Sequence, residues 1–296
     1  MGQWVLRRRG KLLKRVRQLA YLVRHPIDHA RCMRTVARSR LNGDRMAPFR
    51  YLGDHLALSL ATDIRRKALE AHHSIAADAF CPQAADRIRD GATIWYRHVA
   101  DGPPLRIVLQ PSKLAPMEGE LQLSFTFRSE LYVLTFLIAP GSLFGSNSSK
   151  VLFIGGLQGR MGCVKEIREA AKLNHEIAPA AMLMLAVQAT AREIGAGELV
   201  AISEDDQISM SYSAPMVSFD YRAFWTEVGG LRRGRFYSLP VEPKHRPLSE
   251  IKLSHRSRTR RKREEKQRIR LNLESRVRQL VRPANRSSMI LQACPA

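Results

Sequence analysis

Residues 151–203 read VLFIGGLQGRMGCVKEIREAAKLNHEIAPAAMLMLAVQATAREIGAGELVAIS, and this stretch decides the fold. Val151–Ile154 is a continuous apolar run of strand character. Gly155, Gly156, Gly159 and Gly162 follow and read as a tight turn, because glycine permits positive φ and close backbone approach. A short polar helix is expected over Ile167–Asn174. Pro179 suits the first turn of the next helix, whose Met182, Leu185, Ala186 and Ala189 make a thick apolar face. Gly195 and Gly197 stop that helix, and Glu198–Ser203 is a further strand. Strand, glycine turn, helix pair and strand together define an α/β unit. The strand exit is where such units commonly hold a ligand.

Upstream lie four β-rich runs: ATIWYRHVA, PLRIVLQPS, GELQLSFTFRS and ELYVLTFLIAP. In the third, Leu121, Leu123, Phe125 and Phe127 alternate with Gln122, Ser124 and Thr126, the pattern of a half-exposed antiparallel strand. Leu131–Ile138 is apolar on both faces and should be central. Before them, residues 52–80 are helical in composition, and Ile27–Arg40 is a second helix after the break at His25-Pro26. Downstream, FDYRAFWTEVGG is a short aromatic helix and RFYSLPVEP a last strand. The fold class is α/β in the α+β sense: N-terminal helices, a mixed and mainly antiparallel sheet, and a basic C-terminal helix.

The chain has 296 residues and a net charge of +22, and the charge is unevenly placed. Residues 1–50 and 251–286 hold nearly all of the excess, while the middle is close to neutral. Three parts follow: a basic N-terminal arm over 1–46, an α/β domain over 47–250, and a basic C-terminal helix and tail over 251–296. In the first arm Leu12, Val16, Leu19 and Val23 share one helical face. Trp4 is an interfacial anchor candidate, and Lys11, Lys14, Arg15 and Arg17 carry the charge. In the second arm Arg256, Arg258, Arg260 and Arg261 precede a stripe of Ile269, Leu273, Val277 and Leu280. Basic amphipathic arms fit an anionic membrane surface. Nucleic acid is the competing polyanion, and docking of the stripes on the protein's own body is the structural alternative. No apolar run is long enough to span a bilayer, and no secretory leader is read at the start. The expectation is a cytoplasmic protein, peripheral to the inner membrane.

Cys32, Cys81, Cys163 and Cys294 form no Cys-x-x-Cys pair, so neither a structural metal nor a disulfide framework is expected. His72 and His73 are adjacent, diverge by about 100° on a helix and cannot jointly chelate one metal. The glycine turn could cradle a phosphate through Gly156, Gln158, Gly159, Arg160 and Gly162. It is neither a Gly-Lys-Ser/Thr phosphate loop nor a dinucleotide fingerprint, and a tight strand exit is the reading that competes with the cradle and outweighs it. His175 lies in the mouth of the same turn and is a general-base candidate. Glu204, first of the acidic trio Glu204-Asp205-Asp206 at a strand end, is the second catalytic candidate, against a solvated turn. A Cys163–His175 nucleophile pair lacks a third orienting group.

With these residues in view, the chain resembles the bacterial VirK/YbjX family. The resemblance rests on VLFIGGLQGR, on IREAAKLNHEIAPAAMLMLAVQATAREIG, on FDYRAFWTEVGG with FYSLP after it, and on KLSHRSRTRRKRE. YLGDHLALSLATDIRRKALEAHHS resembles the family's N-terminal helical part, so the likeness runs from about Pro48 to Val281. Two positions depart from the pattern: Gln207 stands where a His is usual, and His73 where an aromatic residue is usual. The resemblance implies a bacterial protein associated with virulence and cell-envelope integrity, and it implies no particular reaction. The order of elements is also similar to GNAT-superfamily acyltransferases, in which a Q/R-x-x-G-x-G/A turn before a helix holds the pyrophosphate of acyl-CoA. That likeness implies acyl-CoA as cofactor and an acyltransferase-type core. Gln158-Gly159-Arg160-Met161-Gly162 departs from the turn, and a short extra helix intervenes.

Overall fold

The computed structural model describes residues 15–41, 44–100, 102–113, 115–208, 219–243 and 247–282. Its elements are α1 (15–24), α2 (Pro26–Arg38), α3 (Thr62–Ala79), α4 (Pro82–Asp90), β1 (Ala92–Val99), β2 (Gly102–Pro111), β3 (Leu121–Phe127), β4 (Ser129–Ala139), β5 (Val151–Gly159), α5 (Val164–Leu173), α6 (Pro179–Glu193), β6 (Glu198–Ile202), α7 (Tyr221–Glu227), β7 (Leu231–Arg233), β8 (Phe236–Leu239) and α8 (Leu253–Arg278). The strands form one sheet of eight in the order β1-β2-β3-β4-β5-β6-β8-β7. β5 and β6 pair in parallel and the other neighbours antiparallel. A parallel pair needs a crossover, and α5 with α6 supplies it. This is the α+β architecture expected from the sequence.

Cross-strand register sorts the central strands into two faces. Leu109, Leu123, Leu134 and Leu157 align in one row. All four are fully buried, and α6 packs against β3, β4 and β5. α6 is buried on most sides because α8 lies on it in turn. Ile269, Leu273, Val277 and Leu280 of the basic arm are buried. Its apolar stripe is thus committed to the protein's own body. This follows from the exposed apolar surface α6 would otherwise present.

The adjacent row runs Gln110, Gln122, Thr135 and Gly156, and the next Val108, Ser124, Val133 and Gln158. The expectation of a half-exposed β3 is corrected here. Gln122, Ser124 and Thr135 are each only 1% exposed. Residues 112–113 and 115–120 lie against this polar face. They are tied down by Lys113 N donating to Gln122 Oε1 (2.9 Å), Glu120 N to Phe136 O (3.1 Å) and Leu56 N to Met117 O (2.7 Å). Buried amides and hydroxyls are tolerated because they bond one another, as Gln122 Nε2 does to Ser124 Oγ at 2.9 Å.

Other boundaries also differ from the sequence reading. Helix α3 begins at Thr62, and residues 53–61 are irregular, held by Asp206, whose carboxylate accepts from Ser59 N at 2.7 Å and from Ser59 Oγ. The nine-residue α4 is absent from the sequence reading; Pro82 starts it and Gly91 at φ 102° ends it. Strand β5 does not end at Ile154. It continues through Gly155, Gly156 and Gly159, paired with β4 as far as Tyr132. The supposed glycine turn is therefore mostly strand. Gly155 is the extra residue of a bulge opposite Thr135 and Phe136.

Candidate functional site

A cavity of about 340 Å³ opens on the polar face of β4 and β5. Glu118, Glu130, Tyr132, Thr135, Gln158 and Arg160 are among its walls. The glycines of β5 make room for Glu118. A Cβ at Gly155 would fall 1.8 Å from the Glu118 carbonyl oxygen, and one at Gly156 would fall 2.1 Å from its Oε2. Gly159 lies flat against the Tyr132 ring, where a Cβ would meet Cε2 at 2.8 Å. Gln158 Nε2 sits 2.9 and 3.0 Å from the two Glu118 carboxylate oxygens. The result is a buried carboxylate, oriented by an amide, at the edge of a cavity with a phenol and a guanidinium nearby. Burial holds the Tyr132 phenol above its ordinary pKa, so it stays a neutral donor.

The sequence-expected residues divide. Gln158, Gly159 and Arg160 line the cavity, and Gly156 lies directly beneath Glu118. Gly162 is in a different setting: φ is 80° and, among the described residues, nothing lies within 4 Å of its would-be Cβ. The backbone N–H of Arg160 is used by Leu131 O at 2.8 Å, so it points into the sheet and not toward a phosphate. The glycines serve close packing more directly than anion cradling.

His175 and Glu204 form no part of this cavity's wall. His175 follows α5 in a left-handed conformation and lies 3.7 Å from Glu265 of α8. Glu204 faces Arg222 at 3.3 Å and Arg232 at 3.8 Å. Asp205 also meets Arg232, and Asp206 holds the segment before α3, so the acidic trio acts as a set of clamps. Cys163 caps the start of α5 and His175 lies past its end, so the helix length, about 15 Å, keeps them apart. Glu118 and Glu120 escape the sequence reading. Their signal is a pair of carboxylates flanking Gly119 immediately before an apolar strand.

β5 and β6 pair only over Val151–Ile154 and Glu198–Ala201, then part. Leu157 is left without a partner from β6, and α7 fills the gap. Leu157 N donates to Tyr221 Oη at 3.0 Å, the Tyr221 hydroxyl donates to Leu157 O at 3.0 Å, and Gln207 Nε2 donates to Tyr221 Oη at 2.6 Å. Trp225 Nε1 closes the end of β6 through Ile202 O at 2.9 Å.

A second surface lies at the N-terminus. Trp4, Lys11 and Lys14 fall outside the described residues. In α1, Gln18 and Tyr21 face the body: Gln18 Nε2 donates to Leu52 O (2.8 Å), and Tyr21 packs edge-on to Tyr51. The opposite side is open. Val16, Leu19, Val23 and Ile27 are 53%, 63%, 79% and 77% exposed. At 100° per residue, Arg17 and Arg24 flank this stripe on one side and Arg15 on the other. In the C-terminal arm, Arg256 donates to Ile251 O and Ser249 O, and Arg258 pairs with Glu176 at 2.6 Å. Arg260 and Arg261 are exposed. Among the described residues no helix is long and apolar enough to cross a membrane, and no group of three or more His, Cys, Asp or Glu could hold a metal ion.

Fold and site together define an α+β protein with a carboxylate-lined cavity on the polar face of a mixed sheet. The family described as a protein of unknown function, DUF535, matches residues 12–274. The chain belongs to this family, which is the VirK/YbjX family of the resemblance above. No curated protein matches it. Among solved structures it is similar to a point mutant of the cAMP-binding acyltransferase from Mycobacterium smegmatis. The two are 13% identical with a TM-score of 0.29, over 74% of this chain and 61% of that one. This chain thus spans less than two thirds of that protein's length.

Proposed function

We propose that the protein works at an anionic membrane surface in the bacterial cell envelope, docking through α1 and the start of α2. The observation that carries this is the stripe Val16, Leu19 and Val23, exposed on the side of α1 turned away from the body, with Ile27 exposed at the start of α2. Exposed apolar side chains at helical spacing, between arginines, match an interfacial helix. Arg15, Arg17 and Arg24 would each add about 1 kcal/mol of attraction near an anionic surface. Virulence and envelope maintenance are what the family resemblance implies, and a membrane-docked position agrees with that role. The localisation that follows is the cytoplasmic face of the inner membrane. The test is co-sedimentation with phosphatidylglycerol-containing and pure phosphatidylcholine vesicles. Binding to the first alone, weakened by salt and lost in a Val16→Asp/Leu19→Asp/Val23→Asp variant of unchanged melting temperature, supports the reading. Equal binding by that variant refutes it, and nucleic acid retained through purification would favour the competing polyanion.

A second reading is acyl-CoA-dependent transfer. The parting of β5 and β6 beside the Glu118 cavity favours it, because a parted strand pair offers backbone groups to an extended ligand. In this reading Glu118, and not His175 or Glu204, is the base candidate, and Gln158 and Arg160 border the ligand. Tyr221 now holds the Leu157 groups, so a ligand in the gap must displace it. Titration calorimetry with acetyl-CoA and longer acyl-CoAs decides: no heat at any chain length removes the reading.

A further inference from the structure

On the other side of the Ser112–Glu120 segment lies a second cavity, of about 290 Å³. Its wall includes His72 and His73 of α3, Arg89 of α4, and Ser112, Lys113 and Glu120. The chain has built this place with buried polar groups from distant parts of the sequence. His72, His73, Ser112 and Glu120 are all buried. Burying such groups is costly unless each is satisfied.

Glu120 is satisfied. It accepts from Arg50 Nη1 at 2.7 Å and lies 3.0 Å from His55 Nε2, with His73 Nε2 3.6 Å away. These partners hold its carboxyl well below the usual carboxylate range. Arg50 also bonds Asp44 at 2.9 Å, and Arg89 pairs with Asp86 at 3.0 Å.

His72 is not satisfied. The backbone N–H of Ile138 donates to its Nδ1 at 3.1 Å. The ring therefore carries its proton on Nε2. Among the described residues, that Nε2–H has no hydrogen-bond partner, and neither does the Ser112 hydroxyl or His73 Nδ1, while His73 Nε2 has only Glu120 at 3.6 Å. Buried donors without partners are a few per hundred residues in ordinary proteins, so several around one cavity call for an explanation, and a bound polar group is one. The two carboxylates on this wall are already engaged: Glu120 as above, and Asp44 by Arg50 Nη2 at 2.9 Å and Met46 N at 2.8 Å. The groups on the wall that remain able to donate are His72 Nε2–H, Ser112 Oγ–H and the exposed Lys113 ammonium, and its cations Arg50, Arg89 and Lys113 outnumber its carboxylates Asp44 and Glu120. A donor-rich wall with a spare cation selects an acceptor-rich, negatively charged group.

We propose that this cavity binds a small molecule through a carboxylate or phosphate group, held by His72 Nε2–H, Ser112 Oγ–H and Lys113, with His73 beside it against Glu120. The site is separate from the Glu118 cavity and from the α1 surface, and it does not depend on either reading above.

The test uses the full chain, with long-range ¹H–¹⁵N spectra of the histidine rings, titrated with inorganic phosphate and with acetate at constant ionic strength. The expected result is a saturable shift of the His72 and His73 ring nitrogens with at least one of the two anions. Millimolar affinity, about 4 kcal/mol, is reasonable for so small a probe. A Ser112→Ala/Lys113→Ala variant should bind at least tenfold more weakly with an unchanged melting temperature. Neither side chain has a bond that the fold needs, since Ser112 keeps its backbone N–H to Glu120 O at 2.9 Å. A response to phosphate alone supports a phosphate-bearing ligand, and a response to acetate supports a carboxylate. No saturable shift with either anion overturns the proposal. So does an equal response in the variant, which would mark an adventitious ion only.

Discussion

The hydroxyl of Tyr221 lies 3.0 Å from both the backbone nitrogen and the backbone oxygen of Leu157, and so stands in for the strand that β5 lacks beyond Ile154. A side chain from a helix thereby completes the hydrogen bonding of a sheet.

Tyr221→Phe removes that bridge. The Leu157 N–H and C=O and the Gln207 amide all lose their partner in a buried place. The expected loss is about 2–4 kcal/mol, since each stranded buried group costs roughly 1–3 kcal/mol before relaxation. Urea unfolding measures it. A loss under about 0.5 kcal/mol, on the scale of an ordinary surface change, would mean that α7 does not seal the gap.

Three glycines, Gly155 and Gly156 in β5 and Gly162 after it, should respond differently to alanine. Gly155→Ala drives a methyl into the Glu118 carbonyl and should prevent folding or cost more than about 3 kcal/mol. Gly156→Ala meets the mobile end of the Glu118 side chain, so the protein should fold with the carboxylate displaced from Gln158. Gly162→Ala has open space but a φ of 80°, and about 1 kcal/mol is expected. Thermal unfolding of the three variants checks the order, which would fail if Gly162→Ala were the worst.

Stability should fall as pH drops from 7 toward 4. Burial pushes the His72 pKa down from 6.5 to about 3, so the unfolded chain takes up a proton that the folded one refuses. The stabilisation is complete above the unfolded value of 6.5 and is lost as pH falls through that window to about 3. Glu120, held below its ordinary value by His55 and Arg50, adds in the same direction below about pH 4.5. Together these contribute a few kcal/mol, because each tenfold change in proton affinity between the folded and unfolded chain is worth about 1.4 kcal/mol. Urea midpoints at about pH 7, 6 and 5 should decline. In His72→Leu the midpoint should be lower at neutral pH, because Ile138 N loses its acceptor, but flatter with pH; a slope equal to wild type would contradict the assignment.

Leu273→Ala in α8 should cost about 2–4 kcal/mol, the usual range for a buried leucine. Arg260→Gln and Arg261→Gln, on the exposed part of the same helix, should change stability by less than about 0.5 kcal/mol. Chemical denaturation separates the two. Equal effects would mean that the helix is not docked through its apolar stripe.

The central strands and α6 are legible in the sequence because period-two alternation and a thick apolar helix face carry strong local signals. The same alternation misleads at β3. Gln122 and Ser124 look like solvent-facing residues, and only the Ser112–Glu120 segment, which has no periodicity, puts them inside. Gly155, Gly156 and Gly159 look like a turn because small residues serve turns and close packing alike; contact with Glu118 and Tyr132 distinguishes the two, and contact is not local information. The adjacency of His72 and His73 on α3 does forbid joint ligation of one metal. Both rings are nonetheless buried, because residues from β2, α4 and the region before β3 close over them. Neither cavity could be assembled from spacing, since Glu118 meets Gln158 and Glu120 meets His55 across long stretches of chain.

Ala115 and Glu118 face one cavity, while Ser112, Lys113, Pro116 and Glu120 face the other. One short partition therefore separates two chambers on the same sheet face. A guest that stiffens or shifts this partition from one side alters the fit on the other. Thermodynamic reciprocity then requires the second guest to change the first one's affinity by the same factor. If both chambers bind guests, the backbone around Gly119 is the septum through which one occupancy would report on the other.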